Sequence, residues 1–174
     1  MTSTTITSEA PTTVPALVRA VDDLAMAARR VSGAFAADPT LLAELPDELL
    51  ERLSRNLHLA ADATTASATV VTGRLERDVG SVRGKLVAGR YPTTARFLER
   101  EVGMSSAQAR AAVARGRDLD THSTRVADSW LAGEIPGAVV RDLTLGVTDV
   151  LRRSTRTDTP IARDEALDRL LPLA

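Results

Sequence analysis

The chain has 174 residues, a net charge of −1 and no cysteine, and only 2% of its residues are aromatic. This length suits one ordinary domain or two small ones. A chain of this size can bury enough surface to fold without disulfides or a structural metal. The lack of cysteine excludes disulfides, thiolate zinc sites and cysteine nucleophiles, and it fits a reducing cytoplasm. Because alanine and arginine are abundant and aromatic residues are scarce, the composition favours helices over sheets.

The start of the chain resembles a tail more than a targeting signal. Residues 1–13 are rich in threonine and serine, contain no basic residue and lack an apolar core. We therefore predict a disordered tail over residues 1–13. The longest weakly polar stretch, residues 57–73, contains Asp62 and four threonines and is too polar to span a bilayer. We expect a cytoplasmic chain with no membrane partner.

Two long apolar runs follow the tail. The first repeats every three or four residues, as one face of a helix does, through Leu17, Val21, Leu24, Ala28, Val31 and Phe35. The second extends from Asp47, a plausible N-cap, to Val79, and an unbroken helix of that length would be roughly 50 Å long. Its threonine-rich middle leaves a break near residues 64–72 open. Since each apolar stripe needs a partner, we predict a long antiparallel helical hairpin over residues 14–79.

The second half of the chain carries shorter apolar runs. Residues 80–92 contain three glycines and are predicted to be a flexible connector. Four runs follow at residues 94–102, 106–119, 124–132 and 138–151, and a weaker one at residues 162–171. No strand-like alternation of useful length occurs. The sequence therefore predicts an all-α chain, in which residues 14–174 form one helical domain and residues 93–174 form its bundle of short helices.

Catalytic patterns are missing from the sequence. The two histidines, His58 and His122, lie in different elements without the spacing of a metal site, so both are interpreted as surface residues. The glycine-containing segment 80–86 is one residue too short for a phosphate-binding loop. Neighbouring carboxylates such as Glu99 and Glu101 are interpreted as solvated, and Trp130 as a packing anchor. We predict no catalytic residue, no metal and no cofactor.

The distribution of charge is more informative than its total. The segment from Arg83 to Val126 contains nine basic and four acidic residues. It therefore carries a net charge of +5, and the rest of the chain carries −6. The same segment contains a predicted helix at residues 94–102, a break at residues 103–105 and a second helix from Ser106. Gly103 can adopt a positive φ at the helix end, and Ser105 can cap the next helix. This is the helix-turn-helix pattern.

In such units the second helix lies in the major groove while neighbouring arginines hold phosphates. The candidate DNA-binding residues are Arg96, Ser106, Gln108, Arg110, Arg115 and Arg117. The alternative is a packing helix. The stripe predicted to face inward contains Ala109, Ala112, Val113 and Gly116, and the opposite face contains Ala107, Ala111, Ala114 and Asp118. A helix so rich in alanine can be buried on two sides of a bundle, and Asp118 would repel phosphate.

Three segments of the sequence together resemble a known family. Residues 94–98 contain a Phe-Leu pair, and residues 103–110 contain a Gly-Met-Ser turn followed by Ala-Arg. Residues 130–135 contain the sequence Leu-Ala-Gly-Glu-Ile after the tryptophan. They resemble the domain of unknown function 222, the amino-terminal domain of an actinobacterial family of HNH endonucleases. The resemblance covers residues 17–171 and is specific over residues 94–140. It implies a DNA-associated helical module. Two departures are that Pro136 and Gly137 replace the usual polar cap, and that no His-Asn-His nuclease motif is present.

These observations predict a non-enzymatic module that binds or positions double-stranded DNA. The competing prediction is a helical protein-interaction module or homodimer, favoured by the long hairpin and the alanine-coated helix. A third possibility is a nuclease whose catalytic part lies on another chain. No small-molecule partner is expected.

Overall fold

The computed structural model describes residues 13–79, 91–122, 124–153, 165 and 167–169. All regular structure in these residues is helical, which confirms the all-α prediction. Residues 1–12 of the predicted tail and residues 80–90 of the predicted connector lie outside the described part. Of the weak apolar run predicted at residues 162–171, the structure describes residues 165 and 167–169, which are helical. The chain divides into two compact units, residues 1–54 and 55–174.

Helix α1, Val14–Ala37, is the main element of the first unit. The Thr13 hydroxyl caps it by accepting a hydrogen bond from the Ala16 N–H at 3.4 Å. Pro15 lies in the first turn, where its missing N–H costs nothing. The helix continues through Gly33 and stops before Asp38, which caps the short 3₁₀ helix Pro39–Leu42. No residue of α1 is buried.

Helix α2, Asp47–Val79, is unbroken over its 33 residues, so the break left open near residues 64–72 does not occur. Asp47 is its first helical residue rather than its cap. The threonine hydroxyls donate to carbonyls four residues earlier, for example Thr65 to Ala61 and Thr69 to Thr65, both at 2.7 Å. This bonding gives each hydroxyl a partner inside the helix. Both long helices predicted over residues 14–79 are therefore present.

Four shorter helices belong to the second unit. Helix α3, Thr94–Phe97, continues directly into a π-helical turn, Leu98–Val102. Helix α4 is Ser106–His122, α5 is Thr124–Leu131 and α6 is Gly137–Arg153. The predicted boundaries of these helices agree with the observed ones to within three residues. None of the helices in the described ranges is both long and apolar enough to cross a membrane.

The second unit has a main core and a smaller one. Trp130 is 4% exposed and belongs to the main core, which confirms it as a packing residue. Side chains from α2, α4, α5 and α6 surround it, among them Ala66, Leu119, Val126, Val140, Leu143 and Val147. The smaller core joins α3, the π turn and α4 through Leu98, Ala109 and Val113. Burial of these side chains fixes the helix-turn-helix pair on the second unit.

Helices α2 and α4 cross at a pair of glycines. A Cβ atom on Gly116 would lie 2.6 Å from the Gly73 nitrogen and 2.9 Å from the Thr69 carbonyl oxygen. Contacts this short are not tolerated, so only glycine permits the two backbones to approach so closely. The crossing sets the position of α4 in the second unit.

Candidate nucleic-acid interface

The turn between the π turn and α4 has the predicted geometry. Gly103 adopts φ 77° and ψ 21°, and the Met104 N–H donates to the Leu98 carbonyl at 3.3 Å. The Ser105 hydroxyl accepts from the Gln108 N–H at 3.3 Å, while Gln108 Oε1 accepts from the Ser105 N–H at 3.0 Å. This reciprocal capping box confirms Ser105 as the N-cap of α4. It also occupies the Gln108 side-chain oxygen.

Helix α4 is buried on one side only. Ala109, Val113 and Gly116 of the predicted inward stripe are buried, and Ala112 is half-buried. On the opposite face Ala107, Ala111 and Ala114 are exposed, and Asp118 is half-buried. The alternative in which α4 is buried between two layers therefore does not hold for the described residues. The outer face of α4 is open to a partner.

Arginines lie on both flanks of this exposed face. With 3.6 residues per turn, successive side chains are rotated by roughly 100° about the helix axis. Arg110 and Arg117 therefore lie on one flank together with Ser106, whereas Arg115 lies with Gln108 on the other. A strip of small side chains, Ala107, Ala111 and Ala114, separates the two flanks. The predicted site residues of α4 thus share one exposed surface without forming a single cluster.

Glu99 interacts with two of the predicted site residues, Arg96 and Ser106, near the N-terminus of α4. Arg96 Nη1 lies 2.7 Å from Glu99 Oε2. A hydrogen bond from the Ser106 side chain lowers the pKa of Glu99, and the bond and charge of Arg96 lower it further. Arg110 Nε donates to the Ser106 carbonyl at 3.1 Å, and its charge also favours the Glu99 carboxylate. Ser106 and Arg96 are therefore engaged within the turn.

The remaining arginines of α4 are open. Arg110, Arg115 and Arg117 are exposed, and they form no ion pair with any residue in the described ranges. Arg117 lines a cleft together with Gly73, Glu76 and the ion pair of Arg77 with Asp120. The guanidinium groups of Arg110, Arg115 and Arg117 can therefore meet an anionic partner without first breaking an ion pair with another described residue.

The other basic residues of the central segment belong to other parts of the chain than α4, and Arg100 is exposed on the π turn. Arg125 pairs with Asp168 at 2.6 Å. Arg83, Lys85 and Arg90 lie outside the described residues. Of the two carboxylates interpreted as solvated, Glu101 is exposed and accepts a hydrogen bond from Tyr91, whereas Glu99 is half-buried and pairs with Arg96. Ion pairs therefore neutralise part of the positive charge of the segment from Arg83 to Val126.

Sequence reasoning did not single out Asp62, which links three helices. Its Oδ2 accepts from Trp130 Nε1 at 3.3 Å and from the Gly137 N–H at 3.2 Å. Asp62 lies on α2, Trp130 on α5, and Gly137 is the first residue of α6. The carboxylate thus supplies the N-terminal cap that Pro136 and Gly137 do not provide. The only signal in the sequence is a lone acidic residue within an alanine- and threonine-rich stretch.

The described residues contain no group of three or more histidine and carboxylate side chains arranged to hold a metal ion. His58 is exposed, and the side chain of His122 lies outside the described part. No protein-family model, curated protein or solved structure matches the chain.

Proposed function

We propose that residues 94–122 bind double-stranded DNA, with the exposed face of α4 directed into the major groove. The observation that carries this proposal is the exposed outer face of α4, which bears on both flanks arginines that form no ion pair with another described residue. A helix in the major groove has a phosphate backbone on either side of it. Arginines on two flanks suit that geometry better than arginines in a single cluster.

The arginines have different roles in this arrangement from the other candidate residues. Arg110 and Arg117 contact phosphates of one strand, and Arg115 contacts phosphates of the other. Ala107, Ala111 and Ala114 face the base edges, where small apolar side chains contact thymine methyl groups. Gln108 is hydrogen-bonded to Ser105, and Ser106 to Glu99. Either side chain can reach a base only if it first breaks that hydrogen bond. Binding is therefore driven by phosphates and has weak sequence preference.

The resemblance to the amino-terminal domain of HNH endonucleases supports the same proposal. In this interpretation the chain is a DNA-positioning module in the cytoplasm. Asp118 is the unfavourable element of the surface. It follows Arg117 and lies on the same face of α4 as Ala107, Ala111 and Ala114, so its charge offsets part of the attraction of the arginines for phosphate.

The test is the salt dependence of binding to a duplex, measured by fluorescence anisotropy. The logarithm of the affinity should fall with the logarithm of salt concentration with a slope of about −0.9 for each phosphate contacted. Arg110→Ala, Arg115→Ala and Arg117→Ala should each weaken binding and reduce the slope by about 1. Arg141→Ala is the matched control, because Arg141 is an exposed arginine on α6. A flat salt dependence, or an equal loss in the control, contradicts the proposal.

A further inference from the structure

Three of the residues predicted to bind DNA act on a single carboxylate of the chain itself. Arg96 Nη1 lies 2.7 Å from Glu99 Oε2, the Ser106 side chain hydrogen-bonds to the Glu99 carboxylate, and the charge of Arg110 attracts it. Guanidinium and hydroxyl groups are also the donors that bind phosphate oxygens in protein–DNA complexes. The Glu99 carboxylate therefore has the partners that a DNA phosphate needs.

The ion pair of Arg96 with Glu99 is open to solvent on the side of the arginine. The Arg96 side chain is 63% exposed, whereas the Glu99 side chain is 17% exposed. An anion from solution can therefore reach the guanidinium group while the Glu99 carboxylate stays close to the protein. Because exposed ion pairs contribute little free energy, Arg96 can exchange Glu99 for a phosphate at small cost.

The ion pair lies beside the surface assigned to DNA binding. Glu99 belongs to the π turn, and Ser106 is the first residue of α4. The smaller core holds these two elements together through Leu98 and Ala109. In helix-turn-helix units the first helix crosses the DNA backbone while the start of the second helix enters the major groove. With α4 in the groove, a backbone phosphate therefore approaches Arg96 and Ser106.

A carboxylate at this position opposes the phosphate in two ways. Glu99 neutralises the guanidinium charge of Arg96, and its own negative charge repels a phosphate that comes close to it. Because Ser106 also binds the carboxylate, a change of partner by Arg96 alone does not release Glu99. The chain thus keeps a negative charge at the place where the DNA backbone arrives.

We propose that Arg96 and Ser106 form a phosphate site that the Glu99 carboxylate occupies in the absence of DNA, so that Glu99 competes with the DNA backbone for both residues. Arg96 is then a latent phosphate contact, and Glu99 limits the affinity for DNA. This inference rests on the proposed function for the identity of the ligand. The site itself can be tested separately with inorganic phosphate.

The first test measures duplex binding by Glu99→Gln across a range of salt concentrations. Glutamine keeps the shape of the side chain and an oxygen that can accept from Ser106, but it has no charge. Affinity should rise about two- to fivefold, the range expected when an exposed ion pair is released. The salt slope should steepen by up to about 0.9, because Arg96 gains a phosphate.

Glu101→Gln is the matched control for that test. It removes the same charge from the same π turn, and Glu101 is exposed and forms no ion pair with another described residue. The salt slope should therefore stay as it is in the unaltered chain. Equal effects of Glu99→Gln and Glu101→Gln on affinity and slope overturn the proposal.

The second test asks whether Glu99 acts through Arg96. Arg96→Ala should cost more affinity in the Glu99→Gln chain than in the unaltered chain, because only Glu99→Gln leaves Arg96 without its partner. Arg100→Ala is the matched control, since Arg100 is exposed on the same turn and pairs with no other described residue. It should cost the same in both chains. If Arg96→Ala also costs the same in both, there is no competition.

The third test uses inorganic phosphate and NMR, without DNA. In Glu99→Gln the signals of the Arg96 Nε–H and the Ser106 backbone N–H should shift and saturate at lower phosphate concentration than in the unaltered chain. If phosphate binds in this way but the duplex does not, the phosphate site stands and the assignment of DNA as its ligand fails. If the duplex binds but the two chains respond equally to phosphate, DNA binding stands and the competition by Glu99 is overturned.

Discussion

Asp62 provides the clearest case of one side chain that organises several elements. It accepts hydrogen bonds from Trp130 Nε1 and from the first N–H of α6. The negative charge also lies at the positive end of the α6 dipole. A Cβ on Gly137 would collide with the Asp62 carboxylate and would lie 3.0 Å from Trp130 Cζ2. The hydrogen bonds of Asp62 to Trp130 and Gly137 therefore require a glycine at position 137.

Replacing Asp62 should reduce the free energy of unfolding. Asp62→Ala leaves two donors without an acceptor, and we expect a loss of about 1–3 kcal/mol in urea unfolding. Because Trp130 is the only tryptophan, its fluorescence reports directly on this junction. Asp62→Asn keeps an acceptor oxygen and should cost less. Asp142→Ala, at an exposed position on α6, serves as the control and should change stability by less than about 0.5 kcal/mol. Equal losses in all three variants would argue against this role of Asp62.

Glu99 should show an unusual titration. The bond from Ser106 and the pairing with Arg96 hold the pKa of Glu99 below its ordinary value of 4.5. A carboxylate with a lowered pKa stabilises the folded form at pH values above the ordinary pKa, and this contribution is lost as the pH falls through the lowered pKa. Ser106→Ala should raise the pKa of Glu99 towards its ordinary value, as measured by NMR titration of the side-chain carboxyl carbon.

Asp38 is the internal control for that titration. Hydrogen bonds from Thr40 lower the pKa of Asp38, and Ser106 has no part in them. The pKa of Asp38 should therefore stay unchanged in Ser106→Ala. If Glu99 titrates identically with and without the Ser106 hydroxyl, the proposed cause of its lowered pKa is wrong.

At the scale of helices, the glycine crossing of α2 and α4 fixes where the proposed DNA-binding helix lies. Gly116→Ala should push the two backbones apart and cost about 1–3 kcal/mol. Gly33→Ala in α1 is the matched comparison, because the added methyl meets no atom within 4 Å. That change should instead increase helix stability by roughly 0.5–1 kcal/mol. Thermal unfolding followed by circular dichroism measures both effects, and a harmless Gly116→Ala would contradict the close crossing.

The continuity of α2 shows where propensity is a weak guide. Threonine is a poor residue for a helix interior because its hydroxyl competes for backbone groups. In α2 the hydroxyls of Thr65, Thr69 and Thr72 bond instead to carbonyls of the preceding turn. Thr69 and Thr72 are also buried, so tertiary packing supports the helix in this stretch. Residue preferences alone left a break open because they do not include that packing.

At the scale of the whole molecule, the surface assigned to DNA binding belongs to one compact unit. The outer face of α4 and the smaller core that positions it both lie in residues 55–174. The arginine variants of α4 should therefore weaken DNA binding without changing the mass of the protein in solution, as measured by light scattering.

The sequence by itself determined the all-α class, the helix boundaries and the turn at Gly103, because these depend on local periodicity, caps and glycine conformation. It also placed Trp130 in the core and predicted which stripe of α4 faces inward. Only the tertiary structure decided which charges are available. Arg125 is paired with Asp168, and the α6 N–H that lacks a local cap is bound by Asp62. Ion pairs and caps between distant segments depend on how helices pack, and no local pattern along the chain encodes that arrangement.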